Sequence, residues 1–366
     1  MSNTVEKIKT AIESLENKKF KFYFFVFDTK GAPNGSLAYI YETAKILNDE
    51  GYKVEMLYAE PDFVGVDSWL GEEYSSLPHS RVGDRNNIQV TLGPDDFVFI
   101  PEIYSNVMSA LKSYPCKRIA LLQNFGYITE VIPTGASWDD LKVRDCIATS
   151  ESLKERLHTV FPEVKTEIVH RSVPNYFTQL GEKKLIVNVI VKNQSEASAI
   201  VKPFMWKFPQ YGWVSFRPLL NRERKDFAER LSEGFATVWC DTTTDFGQSA
   251  LEAMAAGSIV IGKIPENIPE WMGDSKVGSI KNNGMWFYNN LEAQDAIASV
   301  VQSFITESIP QSIYDEMAET VKDYSPDRQK AEVLDVYGKL VEDRKKELTV
   351  FLSICENKEK ENEKAE

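Results

Sequence analysis

The stretch that most restricts what this chain can fold into is Asp241 to Met272, DTTTDFGQSALEAMAAGSIVIGKIPENIPEWM. An apolar run, Ala236 to Cys240, feeds a polar loop, and Gly247 then opens a helix whose first turn carries Gln248 and Ser249. A helix start leaves backbone N–H groups without intrahelical partners and carries the positive end of the macrodipole, which suits a diphosphate. Glu252 follows about one turn on, where a carboxylate can accept from both hydroxyls of a ribose. Ala253, Ala255, Ala256 and Gly257 keep the helix thin enough to lie close on a sheet, and Ser258 to Gly262 reads as a strand buried on both faces. The same residues also fit an ordinary helix–strand unit in which Gly247 and the alanines serve packing alone.

The segment resembles the nucleotide-sugar signature of the retaining GT-B glycosyltransferases of family four (glycosyl transferases group 1), E-x-F-G-x-x-x-x-E-A-M-A-x-G-x-P-V-[IV]. The match runs through Phe246, Gly247, Glu252, Ala253, Met254, Ala255, Gly257 and Val260, and Pro269-Glu270 stands where that family has its IPE loop. The chain is a divergent example, because the first glutamate of the family's acidic pair falls on Thr244, with Asp245 one place later. Thr244 and Asp245 are therefore the candidates for the sugar-side, catalytic contact. The resemblance implies an α/β fold of GT-B type, with two Rossmann-like doubly wound domains facing a central cleft. It also implies a nucleotide-diphosphate sugar as donor, transfer with retention, and neither metal nor other cofactor. A D-x-D pair, the divalent-metal signature of the other main glycosyltransferase fold, does not occur in the sequence.

A length of 366 residues suits two domains of ordinary size. The pattern divides the chain into residues 1–173, an acceptor domain, and 174–325, a donor domain. Residues 326–350 read as a helix crossing back to the first domain, and the charged run 356–366 as a disordered tail. Four scattered cysteines show no metal-ligand spacing and fit buried thiols in a reducing compartment. The first nineteen residues read as a charged amphipathic helix, and no apolar run is long enough for a bilayer, so a soluble cytoplasmic protein is expected. The net charge of −13 argues against a nucleic-acid partner held by a broad basic surface, although a local basic groove remains compatible with it.

The amino-terminal part opens with the aromatic strand FKFYFFVFD, residues 20–28, a turn-rich loop, a helix over 37–50 ended by Gly51, and a strand over 52–58. Gly31, Asn34, Gly35 and Ser36 lie in that loop, either against the acceptor or donor phosphate or simply as a tight βα turn. Residues 60–94 read as an irregular excursion, rich in Gly and Pro. Strands at Asp96–Ile100 and Arg118–Gln123 follow, and the second delivers Gln123, Asn124 and Tyr127 to the same edge, as acceptor contacts or as caps. Ser150 reads as the cap of a helix to Phe161. His170 is a hinge contact, and Arg171-Ser172 replaces the usual Asn-Gly of the family's linker.

Lys184 to Val191 starts the second sheet and puts Lys192 at a strand's carboxyl end, with Lys202 ten residues on. The resemblance makes Lys192 and Lys202 stand for the diphosphate-binding Arg and Lys of the family, without its G-R-x4-K spacing. Lys192 also fits a solvated surface lysine. The strand Gly212–Phe216 leads to Arg217, placed to approach the base or phosphate. Two further functions fit the same residues: a phage-type DNA base glycosyltransferase, and a catalytically inactive GT-B protein that binds nucleotide sugars.

Overall fold

The computed structural model describes residues 20–84, 87–88, 90–192, 194–241, 244–274, 278–289 and 292–365. The amphipathic amino-terminal segment lies outside them. Strand β1 (Lys21–Phe25) turns Phe22 and Phe24 to one face and Tyr23 and Phe25 to the other, and all four are buried. This fits a parallel sheet covered by helices on both faces. Around it run β2 (Lys53–Tyr58), β3 (His79–Arg81), β4 (Asp96–Pro101), β5 (Lys117–Leu122), β6 (Asp145–Ala148) and β7 (Lys165–Ile168). All are parallel, in the order β3-β2-β1-β4-β5-β6-β7. The order reverses between β1 and β4, and a crevice opens beyond the carboxyl ends of the strands at such a switch point.

Helix α1 (Gly35–Asp49) covers the Phe22/Phe24 face with Leu37, Ile40, Ala44 and Leu47. Asn34 caps it by accepting from the Leu37 N–H at 2.9 Å, so the helix starts two residues before the expected 37 and takes Gly35 and Ser36 into its first turn. Gly51 ends it with φ +84°, as expected of a C′ glycine. The opposite face is covered by α2 (Ser105–Ala110), α3 (Phe125–Val131) and α4 (Glu151–Val160), whose Met108, Ile128, Leu153 and Leu157 share one core cluster with Tyr23 and Phe25. Ser150 caps α4 by accepting from the Leu153 N–H. The irregular reading of 60–94 missed β3, which pairs in parallel with β2 at the sheet edge. Its three residues HSR are too short and too polar to show a period-2 signal.

The second sheet comprises β8 (Lys184–Ile190), β9 (Ser215–Leu219), β10 (Gly234–Trp239), β11 (Ile259–Lys263) and β12 (Met285–Phe287), all parallel, in the order β9-β8-β10-β11-β12. Its switch point lies between β8 and β10. Strand β10 is buried at every residue, as its central position requires. Helices α5 (Gln194–Lys207), α6 (Arg224–Glu233), α7 (Gln248–Ala255), α8 (Ala293–Ile305) and α9 (Gln311–Lys322) close the core through Phe204, Leu231, Leu251, Ile297 and Met317. The expected strand at Gly212–Phe216 is displaced to Ser215–Leu219, because Pro209–Tyr211 forms a 3₁₀ turn first.

The last helix, α10, runs from Pro326 to Ala365. Its residues Val333, Val336, Tyr337 and Leu340 pack beside Phe22, Phe24 and Phe99 of the first sheet. The expected disorder from residue 356 is not met, for the helix continues through that run to Ala365. Glu and Lys are good helix formers, and a helix already nucleated by packing propagates through them.

Candidate functional site

The carboxyl edges of the two sheets face each other across a cavity of about 530 Å³. From the second sheet it is lined by Thr244, Phe246, Gly247, Gln248, Ser249 and Glu252. The first sheet contributes Asn34, Gly35, Ser36, Gln123, Asn124 and Tyr127. Residues more than 200 positions apart in the sequence thus meet in one space.

Gly247 caps α7 with φ +71°. A Cβ there would lie 2.9 Å from Trp239 Cζ2 and 3.0 Å from Trp271 Cζ2, so both the backbone conformation and the space demand glycine. Gly247, Gln248 and Ser249, the start of α7, line the cavity. Glu252 is 1% exposed, and its Oε1 accepts from Arg224 Nη1 at 2.7 Å. Burial raises the pKa of Glu252, and the Arg224 charge opposes that rise. Arg224 also reaches Glu42 Oε1 of α1 at 3.8 Å, and its backbone N–H donates to the Trp69 carbonyl at 3.0 Å. One arginine therefore ties the two sheets together at the floor of the cleft.

Asp245 is not placed for the sugar-side role. Its carboxylate is 9% exposed, accepts from the Phe125 N–H at 2.6 Å and pairs with Arg156, whose guanidinium also lies 4.6 Å from the centre of the Phe125 ring. It is a latch across the cleft, and of the two candidates only Thr244 lines the cavity. Glu270 of the IPE-like loop is a second latch, accepting from the Glu151 N–H at 2.9 Å and from Tyr324 Oη at 3.2 Å. His170 lies between Glu270 (3.1 Å) and Glu332 (2.9 Å), so the hinge role expected of it matches its contacts. Burial disfavours its imidazolium, but the hydrogen bonds to the two glutamates outweigh that and raise its pKa to about 9.

Three further candidates are placed elsewhere. Arg217 lies in the middle of β9, opposite Asn188, and donates to Asn188 Oδ1 at 3.0 Å, to Glu233 Oε2 at 2.5 Å and to the Arg230 carbonyl. Glu233 precedes β10, so this cluster sits towards the amino edge of the sheet, away from the cavity. The displaced strand put Arg217 there. Lys202 is exposed on α5 and does not line the cavity. Gly31 turns its loop beside Ser68 Oγ and is likewise absent from the lining. Lys192 does line it, with a half-exposed side chain 3.6 Å from Asp241 Oδ1. An adjoining apolar cavity of about 360 Å³ opens at the β8/β10 switch point between Val191, Ile200 and Cys240.

The sequence reading missed Arg224 and Glu42, and it gave Arg171 no role in the site. Arg171 is 7% exposed, lines the cavity, and donates through Nη2 to Gln123 Oε1 at 2.5 Å and to Ser36 Oγ at 3.4 Å. Beneath it Glu102, buried at the end of β4, accepts from the N–H groups of Gln123 and Asn124, and burial raises its carboxyl to about 7. A charged residue inside the apolar run IVHRSV was the available signal for Arg171. Arg224 had none, being one of several arginines in NRERK. Among the described residues there is no group of three or more His, Cys, Asp or Glu able to hold a metal ion, and no helix is long and apolar enough to cross a membrane.

No family model matches the sequence, and no curated protein matches it. Solved structures do match. A variant of TarM from S. aureus, in complex with fondaparinux, α-GlcNAc-glycerol and UDP, superposes with a TM-score of 0.64 at 9% identity, over 87% of this chain and 99% of that one. Sucrose-phosphate synthase from Thermosynechococcus elongatus gives 0.62 at 11% identity, over 88% and 99%. An α-glucosyltransferase in complex with UDP and a 13-mer DNA containing a HMU base gives 0.53 at 11%, over 90% and 100%. At such identities the likeness carries the fold, and the fold of this chain is GT-B.

Proposed function

We propose that this protein transfers a sugar from a nucleotide-diphosphate sugar to an acceptor hydroxyl, with retention at the anomeric carbon and, as the resemblance implies, without a metal ion. The observation that carries this reading is the single cavity that gathers the α7 start and Glu252 from one sheet and Asn34 to Ser36 with Gln123, Asn124 and Tyr127 from the other. In this reading the N–H groups at Gly247 to Ser249 and the ammonium of Lys192 receive the diphosphate. Glu252, oriented by Arg224, accepts from the ribose hydroxyls, and the adjoining apolar cavity takes the base. The acceptor lies beside Gln123, Asn124 and Tyr127. The bond between the anomeric carbon and the distal phosphate oxygen breaks, and its electron pair leaves on the diphosphate. The acceptor oxygen bonds to the carbon and gives up its proton to the departing diphosphate.

A second reading, nucleotide-sugar binding without transfer, is favoured by the Asp245 latch, which leaves Thr244 alone at the position of the family's first acid. Both readings are tested by thermal shift with UDP, ADP, GDP and their sugars, followed by an assay for release of the nucleoside diphosphate. A ligand at a hundred times its Kd adds about 2.7 kcal/mol to stability, enough to raise the melting point measurably. Release of nucleoside diphosphate is the expected result. Binding without release supports the second reading, and a melting point that none of these ligands raises contradicts both.

A further inference from the structure

Among the described residues three cations line the cleft cavity: Lys192, Arg224 and Arg171. The first two stand within 4 Å of carboxylates, Lys192 by Asp241 and Arg224 by Glu42 and Glu252. Arg171 differs. Its guanidinium is buried, yet among the described residues it forms no ion pair, and its hydrogen bonds run through Nη2 alone to the neutral groups of Gln123 and Ser36. Among the described residues Nε is buried without a hydrogen-bond partner. The remaining contacts are the rings of Tyr39 and Phe246, centred 5.5 and 5.7 Å from its Cζ.

A guanidinium keeps its charge in any protein, and a buried charge with no carboxylate in contact is costly; Glu102, Glu42 and Glu252 act on Arg171 only from beyond ion-pair distance. Charge and burial together make a socket for an anion. Its place narrows which anion. Phe246 immediately precedes Gly247 at the start of α7, and Gln248 of that helix donates to the carbonyl of Ser172, the neighbour of Arg171. The guanidinium therefore stands beside the helix start that the proposed function gives to the diphosphate. On its other side Gly35 leaves the approach to Nη1 unwalled, since a Cβ there would come within 3.5 Å of that atom.

We infer that Arg171 receives the distal phosphate of the donor's diphosphate, a cation from the amino-terminal half of the molecule closing on an anion held by the carboxy-terminal half. This rests on the proposed function. It places the balancing charge on the sugar-bearing phosphate, where charge grows as the bond to the sugar breaks, so Arg171 contributes to catalysis as well as to binding. It also explains why the cleft lacks the closely spaced arginine and lysine expected after β8: the second cation comes from across the cleft.

The test is equilibrium dialysis of UDP, ADP and GDP, and of UMP, AMP and GMP, against the full chain and its Arg171→Ala and Arg171→Lys variants. The wild type is expected to hold one diphosphate more tightly than its monophosphate. Arg171→Ala should weaken that diphosphate about 10- to 100-fold, the range for a hydrogen bond to a charged group, and leave the monophosphate unchanged. Arg171→Lys should restore part of the difference. A variant that merely misfolds loses both ligands together, and the lysine variant, which keeps the charge, then decides: a preference for the diphosphate smaller than the wild type's upholds the assignment, and one equal to the wild type's overturns it. Equal diphosphate affinity in wild type and Arg171→Ala would overturn the assignment while keeping the nucleotide reading, and would point to an anionic group on the acceptor. A wild type that retains no nucleoside diphosphate would overturn both.

Discussion

Arg224 and Arg171 are buried guanidiniums lining the same cavity, one rising from the second sheet and the other from the first. Arg224 is balanced by two carboxylates, one from each side, and its backbone holds Trp69 as well. Arg171 forms no ion pair among the described residues, feels Glu102, Glu42 and Glu252 only from farther off, and rests on an amide oxygen, a hydroxyl oxygen and two rings. The difference separates two tasks. A charge whose counter-ions are built in holds the shape of a site, whereas a charge left without them is kept for something that arrives.

The same substitution at the two positions should therefore give different results. Arg224→Met leaves Glu42 and Glu252 buried without their cation and should cost about 3–5 kcal/mol in urea unfolding. Arg171→Met removes a charge that forms no ion pair among the described residues, and should stay within about 1 kcal/mol of wild type. Equal losses at both would erase the distinction between them.

The carboxy-terminal wall should prove intolerant at its helix start as well. Gly247→Ala forces an alanine into φ +71° against two tryptophan rings, and should cost about 2–4 kcal/mol, read as a lowered melting point. The hinge between the walls should respond to pH. The pKa of His170 rises on folding from 6.5 to about 9, so its contribution is fully present below pH 6.5 and is lost as pH rises through about 9. That loss should amount to about 3 kcal/mol of unfolding free energy, read from denaturant titrations, and His170→Gln should flatten it. Lys192→Ala, which removes a half-exposed cation, should change stability by less than about 0.5 kcal/mol and yet weaken nucleoside diphosphate binding.

Much of the carboxy-terminal wall was legible in the sequence because its lining residues lie in one continuous stretch. Gly247, Gln248, Ser249 and Glu252 occupy one turn and a half of helix, and local rules of helix starts find them without knowledge of tertiary contacts. The amino-terminal residues Asn34 to Ser36 and Gln123 to Tyr127 were legible as strand-end positions, since parallel sheets present their carboxyl edges to ligands. What escaped was the pairing of charges. Nothing local tells Arg217, spent on Asn188 and Glu233, from Arg224, spent on Glu252 and Glu42, because the partners lie up to 182 residues away and are chosen by strand register. Asp245 failed for the same reason, as its partners Phe125 and Arg156 belong to the other sheet's helices. The charged carboxyl end of α10 was misread because composition alone does not show that a helix already docked by Val333, Tyr337 and Leu340 precedes it.

Glu252 offers the most direct test of the nucleotide reading, as a carboxylate placed both on the α7 helix and against Arg224. Calorimetric titration of UDP, ADP and GDP into the wild type and into Glu252→Gln tests it. The prediction is that one of the three binds the wild type and binds the variant at least about tenfold more weakly, because the amide keeps the shape of the side chain but loses the charge that holds the ribose hydroxyls. Full affinity in Glu252→Gln, or no binding of any of the three to the wild type, would contradict it.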